Sequence, residues 1–313
     1  MLGTGGVGEA CGSGREVMMA SAETRRPIVA GVPPEPSRRM AVAWAVDEAA
    51  RRHVPLRLVH AAGAPTVYRQ TAVRPSWEEW SQALHEAGER VLEEAVAFAH
   101  ARQPRVEVSG VLAEGSPAWV LREEAAEAAV VVLGSYHLSR VKEVFSSVAV
   151  ALPVMAHARC PVVVVPEAEH VTQQPPYVVV GVDGSPHSAA AVDFAFREAA
   201  LRGAVLRALY VRQPHRFGVL DEAAMEQACR SLLAETVVGR TAAYPEVELH
   251  HEVVTGHPVE ELTKASAHAL ALVVGTRGHG GFTGMLLGSV SQGVLHYARC
   301  PVIAVPCSPS PGT

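Results

Sequence analysis

The chain has 313 residues and a formal net charge of −5, with hydrophobic residues making up 49% of it. This length predicts two domains, and the acidic balance argues against a general nucleic-acid partner. No apolar run approaches the roughly 18 residues that would predict a membrane span. The five cysteines are odd in number and lack close metal-ligand spacing, which predicts a reducing cytoplasm as the location.

The first segment in chain order, residues 1–26, is rich in glycine and short polar residues and predicts a disordered leader. It contains a G-x-G-x-x-G pattern at Gly3, Gly5 and Gly8. Since no strand precedes the pattern and no βαβ unit surrounds it, it does not predict a dinucleotide site.

From residue 27 onward the chain repeats itself. Residues 27–50 align with 177–200, and 158–166 align with 298–306 around a shared Ala-Arg-Cys-Pro. Between these segments, Gly115 lies opposite Gly256. The repeat predicts two copies of one domain, joined by a polar linker that contains two prolines. The predicted divisions are domain one at 27–166, the linker at 167–176, domain two at 177–306 and a short tail at 307–313.

Each copy alternates predicted strands with predicted helices. In the second copy the strands fall near 177–182, 205–211, 247–254, 270–274 and 302–305, and the second helix near 221–240. Strands that alternate with helices predict an α/β fold, with a parallel sheet and helices on both of its faces.

Capping residues mark the ends of several predicted helices. Ser185, with Pro186 at the first helical position, begins the first helix of the second copy, and Gly203 ends it. His257-Pro258 begins the third helix, and Ser289 or the residue before it begins the fourth. In the first copy, Ser76 and Glu79 form a capping box for a long helix that ends near residue 102.

The second copy is organised around residues 270–306, which run from a strand through a glycine-rich loop and a helix to another strand. Gly275, Gly278 and Gly288 stand in the pattern G-x2-G-x9-G-S, which ends at Ser289. A helix that begins there has unpaired N–H groups and a positive end, which attract phosphate oxygens. Glycines let the backbone approach a phosphate closely. A glycine-rich turn without a ligand is the alternative.

This pattern resembles the nucleotide-binding signature of the universal stress protein family, in its ATP-binding branch, and the two copies resemble a tandem member. The resemblance implies two doubly wound, Rossmann-like, five-stranded parallel sheets with strand order 3-2-1-4-5. It implies a site between strands one and four that binds ATP and Mg²⁺. It also implies that the edge strands at 161–165 and 301–305 pair within the chain as a pseudo-two-fold dimer. Further association of chains into a homodimer is an additional expectation.

The resemblance also implies which residues bind the ligand. Asp183 is expected beside the ribose and the metal, with a turn-forming or helix-capping aspartate as the alternative. The complete predicted set is Gly181, Asp183, Val211, Val274, Gly275, Arg277, Gly278, His279, Gly288, Ser289, Val290 and Ser291.

Several members of this set have simpler interpretations. Val211 and Val274 would be buried as strand valines in any case, and Ser291 could cap its helix. Arg277 and His279 are expected either to meet phosphate or to face solvent.

The first copy departs from the pattern at its polar positions. Pro33 stands where the second copy has Asp183, His137 takes the second glycine position and Ser146 the third, although Gly134 is retained. The first copy is therefore predicted to be folded but degenerate, so that the chain binds one nucleotide.

Three functions are compatible with these patterns. The favoured one is a nucleotide-dependent regulatory module of the stress response, which binds ATP in its second domain and acts on unidentified protein partners. A slow ATPase that uses the same pocket is the second, although no catalytic residue is predicted. A nucleotide-free interaction scaffold is the third.

Overall fold

The computed structural model describes residues 26–35, 38–62, 77–135, 144–168, 170–213, 222–278 and 287–307, with only the backbone at 77–80 and 144–149. Nearly all of the predicted leader, the predicted cap at Ser76 and most of the tail lie outside these ranges. None of the helices in the described ranges combines the length and apolar character needed to cross a bilayer.

Strands and helices alternate along the described residues, as the sequence predicts. The strands are β1 (Ile28–Gly31), β2 (Leu56–Ala62), β3 (Val108–Glu114), β4 (Val130–Ser135), β5 (Val162–Pro166), β6 (Tyr177–Val182), β7 (Val205–Arg212), β8 (Leu249–Thr255), β9 (Ala271–Gly275) and β10 (Val302–Val305). The helices are α1 (Met40–Arg52), α2 (Trp77–Arg102), α3 (Pro117–Glu124), α4 (Val144–His157), α5 (Pro186–Arg202), α6 (Glu222–Thr241), α7 (Pro258–Ala265) and α8 (Ser289–Tyr297).

The predicted helix signals in the second half are confirmed. The Ser185 hydroxyl accepts a hydrogen bond from the backbone N–H three residues later, and Pro186 follows at the first helical position. Gly203 ends the same helix with a φ of 57°, a left-handed conformation that glycine adopts without steric cost. Helices α7 and α8 begin at Pro258 and Ser289. The predicted strand and helix ends differ from the observed ones by at most two residues.

The strands form one sheet in the order β3-β2-β1-β4-β5-β10-β9-β6-β7-β8. Each half therefore has the order 3-2-1-4-5 that the family resemblance implies. Neighbouring strands are parallel within each half, and the two halves join through antiparallel pairing of β5 with β10. The two predicted five-stranded sheets are thus halves of one ten-stranded sheet.

Side-chain alternation along the strands creates a hydrophobic core on each face of this sheet. On β1, Ile28 and Ala30 pack on one face and Val29 packs on the other. Helices α1, α2, α5 and α6 cover the first face, and α3, α4, α7 and α8 cover the second. Burial on both faces explains why the central strands are continuous apolar runs.

The junction between the halves is built from small and β-branched residues. Val164, Val163 and Val162 pair with Val302, Ile303 and Ala304 respectively. Val163 and Ile303 are fully buried. Two edges that would otherwise expose unpaired backbone groups thus cover each other.

Beside this junction, the C-terminal ends of α1 and α5 share a buried cluster of charges. Glu48 and Glu198 are fully buried. Arg202 bonds Glu48 at 2.7 Å across the halves and Glu198 at 3.0 Å within its own helix. Arg52 bonds Glu48 at 2.6 Å within its helix and also reaches Glu198 across the halves. Each carboxylate is therefore neutralised by arginines from both halves.

Two aromatic rings complete the cluster. The Arg52 guanidinium lies 5.5 Å from the centre of the Phe194 ring, and the Arg202 guanidinium lies 5.3 Å from the centre of the Trp44 ring. These contacts add cation–π attraction to the ion pairs. Since each arginine stacks on an aromatic residue of the opposite half, the contacts follow the pseudo-two-fold arrangement.

The strand junction can be tested with the double substitution Val163→Asp and Ile303→Asp. Two opposed carboxylates in a fully buried pair should separate the halves or precipitate the protein, because neither charge has a partner. Size-exclusion chromatography and far-ultraviolet circular dichroism measure the outcome. A double mutant that stays soluble, compact and as stable as the parent would show that the junction does not hold the halves together.

The charge cluster can be tested with Arg202→Met, which keeps most of the side-chain volume but removes the charge. We expect a loss of about 3–5 kcal/mol in the free energy of unfolding, because two buried carboxylates lose a partner. The matched control is Arg230→Met, which breaks an exposed pair with Glu226 and should cost less than about 1 kcal/mol. Equal losses in urea unfolding would contradict a special role for the cluster.

Candidate functional site

The second half contains a cavity of about 540 Å³ at the carboxyl ends of β6, β7 and β9. The first turns of α7 and α8 close its sides. Strand order reverses here, since β6 has β7 on one side and β9 on the other. Crevices at such points are where open α/β sheets bind ligands.

The cavity brings together the predicted site residues of the second copy. Those that line it are Gly181, Asp183, Val211, Val274, Gly275, Arg277, Gly278, Gly288, Ser289, Val290 and Ser291. The twelfth, His279, lies outside the described residues.

Asp183 follows the end of β6 and holds its own turn. Its Oδ1 accepts a hydrogen bond from the Ser185 N–H at 2.9 Å. Its Oδ2 faces Gly278 so closely that a Cβ there would lie 2.3 Å away. Asp183 therefore does stabilise its own turn, as the alternative interpretation expects. The same carboxylate also lies in the cavity against the glycine loop.

The three loop glycines differ in what surrounds them. A Cβ on Gly275 would lie 2.8 Å from the backbone of His187, so this glycine allows β9 to pack against the first turn of α5. Gly278 makes room for the Asp183 carboxylate. A Cβ on Gly288 would meet nothing closer than 3.4 Å, and its φ of −69° suits any residue. Packing within the described chain thus explains the first two glycines but not Gly288.

The start of α8 has no side-chain cap among the residues that the structure describes. Gly288 is its N-cap and forms no side-chain capping bond, whereas serine hydroxyls cap α3 and α5. The first backbone bond of this helix runs from the Gln292 N–H to the Gly288 carbonyl. The N–H groups of Ser289, Val290 and Ser291 are therefore those that a helix cannot pair internally.

Ser291 uses its hydroxyl elsewhere. The hydroxyl donates to the Gly275 carbonyl at 2.6 Å, and the side chain is buried. This bond ties the first turn of α8 to the end of β9. Ser291 thus positions the helix start, and its backbone N–H is one of those that the helix itself leaves unpaired.

Several lining residues were missed by sequence reasoning. They are Val182, Ser188, Leu209, Tyr210, Gln213, Pro258 and Leu262. Because side chains alternate along a strand, Leu209 could have been predicted to lie on the same face of β7 as Val211. Helical spacing from Pro258 could have indicated that Leu262 lines the cavity. A Cβ on Gly181 would lie 3.2 Å from the Leu262 Cδ1, so this leucine closes the floor of the cavity.

The electrostatics of the crevice are mixed. Burial lowers the pKa of His187, the Arg277 charge lowers it further, and Asp183 opposes both effects. Burial raises the pKa of Tyr210, and contact with Cys229 adds to this rise. Within the described ranges, no three His, Cys, Asp or Glu side chains converge where they could hold a metal ion.

The first half has a different polar lining at the equivalent place. Pro33 lies where the second half has Asp183, and it also lines a cavity. The predicted changes at His137 and its neighbours lie outside the described residues, as does the side chain of Ser146.

Comparison with known proteins identifies the same family for both halves of the chain. The family model described as "Universal stress protein family" matches residues 24–166 and 177–306. Universal stress protein Rv2005c of Mycobacterium tuberculosis is 34% identical over 294 residues, which cover 91% of this chain and 98% of that protein. A universal stress protein of Mycolicibacterium smegmatis is 32% identical over 302 residues, which cover 92% and 99%.

Among solved structures, a universal stress protein from Archaeoglobus fulgidus DSM 4304 has the same fold. The TM-score is 0.67 at 18% identity, and the match covers 89% of this chain and 96% of that one. Both halves of the chain match one family model, and relatives above 30% identity match along almost their whole length. The chain therefore belongs to the universal stress protein family and carries two copies of its domain in tandem.

Proposed function

We propose that the second half binds ATP together with Mg²⁺ and that the protein acts as a nucleotide-dependent regulatory module of the stress response. The observation that supports this most directly is the uncapped start of α8 at Gly288 and Ser289, which opens into the same cavity as Asp183 and Gly278. Three backbone N–H groups at a positive helix end suit phosphate oxygens.

The apolar part of the cavity has to supply much of the affinity. A helix end contributes only about 0.3–2 kcal/mol, whereas micromolar binding requires about 8 kcal/mol. Val211, Val274, Leu209 and Leu262 form an apolar wall beside the polar groups. A volume of about 540 Å³ lies within the range of small-molecule sites. An adenine ring against this wall, with the phosphates at the helix start, uses both parts of the cavity.

The residues present fit Mg²⁺ bound jointly with phosphate. This ion commonly uses one or two carboxylates and completes its coordination with water and phosphate oxygens. Asp183 supplies one carboxylate beside Gly278, and no all-protein cage surrounds it in the described part of the chain. The bound ion would neutralise phosphate charge, and Asp183 is the residue we expect to hold it.

A slow ATPase would use the same cavity and remains the second candidate. Among the described lining residues, Asp183 is the carboxylate that could act as a base, and one of its oxygens already accepts from the Ser185 N–H. That bond favours binding over turnover. Measuring whether bound ATP is hydrolysed separates the two functions.

The proposal also includes a cytoplasmic location and association of the protein with unidentified proteins or with a second chain.

Gly288→Val tests the nucleotide site. Its Cβ makes only ordinary contacts, so the fold should stay intact, while the added methyl groups obstruct the start of α8. We expect calorimetry to give about one ATP per parent chain and no saturable binding to the variant, since a lost set of phosphate contacts moves a micromolar site beyond millimolar. Unchanged affinity in the folded variant, or a stoichiometry of about two in the parent, would contradict the proposal.

Gly275→Ala tests whether the first loop glycine serves packing. Its Cβ would press on the His187 backbone at 2.8 Å, and we expect a loss of about 1–3 kcal/mol in stability from this overpacking. Gly288→Ala is the matched control and should leave the melting temperature nearly unchanged. Equal melting temperatures for the two variants would show that Gly275 is not required for packing.

A further inference from the structure

The buried charge cluster beside the junction repeats at a constant spacing along the chain. Each of its members on α1 has an equivalent on α5 at an offset of 150. The related pairs are Glu48 with Glu198, Arg52 with Arg202, and Trp44 with Phe194. Each half therefore presents the same charge order to the other, a carboxylate followed one helical turn later by a guanidinium.

The ion pairs of the cluster are of two kinds. Within α1, the Arg52 Nε bonds Glu48 at 2.6 Å, and within α5 the Arg202 Nε bonds Glu198 at 3.0 Å. Across the junction, Arg202 bonds Glu48 at 2.7 Å and Arg52 bonds Glu198. The pairs within a helix persist when the halves separate, whereas the pairs across the junction require a partner with a guanidinium in the right place.

Strand pairing by itself does not identify the partner. The β5 and β10 strands meet through backbone groups and small apolar side chains, and every strand edge offers the same backbone groups, including the outer strands β3 and β8. Glu48 and Glu198, in contrast, are fully buried at the junction. A partner that leaves such a carboxylate without its opposing arginine is strongly disfavoured.

The two halves match where the charges are buried and differ where they are exposed. Arg51 also pairs with Glu48, and its side chain is 33% exposed. Its equivalent in the second half is Leu201, an exposed residue. Asp47 pairs with Arg102 at 2.7 Å rather than across the junction. The charge order is thus repeated only at the positions where burial makes an incorrect charge costly.

We propose that the charge cluster determines which halves associate. The junction surface of each half accepts a half with the same charge order, either from its own chain or from a second copy of this chain, and rejects one with the opposite order. The short linker favours the half of the same chain, since such a tether provides an effective concentration of about millimolar. This inference is independent of nucleotide binding in the second half.

The experiment reverses the charge order of one half. The variant Glu198→Arg with Arg202→Glu keeps an ion pair within α5 and leaves the composition unchanged, but it places like charges opposite Glu48 and Arg52. Each half then matches only its equivalent in a second copy. We expect light scattering after size-exclusion chromatography to give at least about twice the mass of the parent, as for an exchange of halves between chains.

The matched control reverses both halves, through Glu48→Arg and Arg52→Glu in addition. It contains the same altered α5, so any packing defect there affects both variants, but its charges across the junction attract again. We expect this control to have the mass of the parent and a higher melting temperature than the half-reversed variant. Coexpression of the two oppositely half-reversed chains, each with its own affinity tag, should give a complex that contains both.

An equal mass and melting temperature for the half-reversed and fully reversed variants would overturn the inference. If circular dichroism shows that neither folds, the parent decides the question. Refolding from urea at about millimolar chain concentration should then give a two-chain species, and Arg202→Met, which loses pairs across the junction, should give less of it. Equal yields from the two chains, or one-chain protein alone, would likewise overturn the inference.

Discussion

Antiparallel pairing between β5 and β10 is the constraint on which the rest of the molecule depends. It converts two five-stranded sheets into one, and it brings the C-terminal ends of α1 and α5 together above the junction. Burying Glu48 and Glu198 there is costly unless each is paired. Because arginines from both halves pair with these carboxylates, the charge cluster stabilises the joined halves relative to separate domains.

The same pairing separates the two cavities. Because strands of the first half run antiparallel to those of the second, the carboxyl ends of the two sets of strands point in opposite directions. Ligands in open α/β sheets bind at carboxyl ends. The described residues that line each cavity consequently come from one half, and the two cavities can differ in chemistry while the junction between the halves stays unchanged.

In the two cavities, the residues that pack the floor are different from the polar residues that would face a ligand. Gly31 and Gly181 face leucines at the same distance, so the packing of the two floors is conserved within the chain. The polar positions are not conserved, since Pro33 stands opposite Asp183. Substituting a few side chains at the carboxyl ends of the strands alters what a site can hold without disturbing the strands themselves, because those positions contribute little to the core.

Local patterns in the sequence were enough to predict the element order and the helix ends at Ser185 and Gly203, because periodicity and capping are set by residues close together in the chain. The strand order, and with it the position of the glycine loop near Asp183, was implied by the family resemblance and not by local patterns. Tertiary structure alone decided that Gly275 serves packing, that the Ser291 hydroxyl bonds the Gly275 carbonyl, and that Glu48 and Glu198 are buried. In sequence, each of these glutamates has an arginine four residues later, the spacing of an ordinary exposed helix pair. Their burial follows from contacts about 150 residues apart along the chain, which no local pattern records.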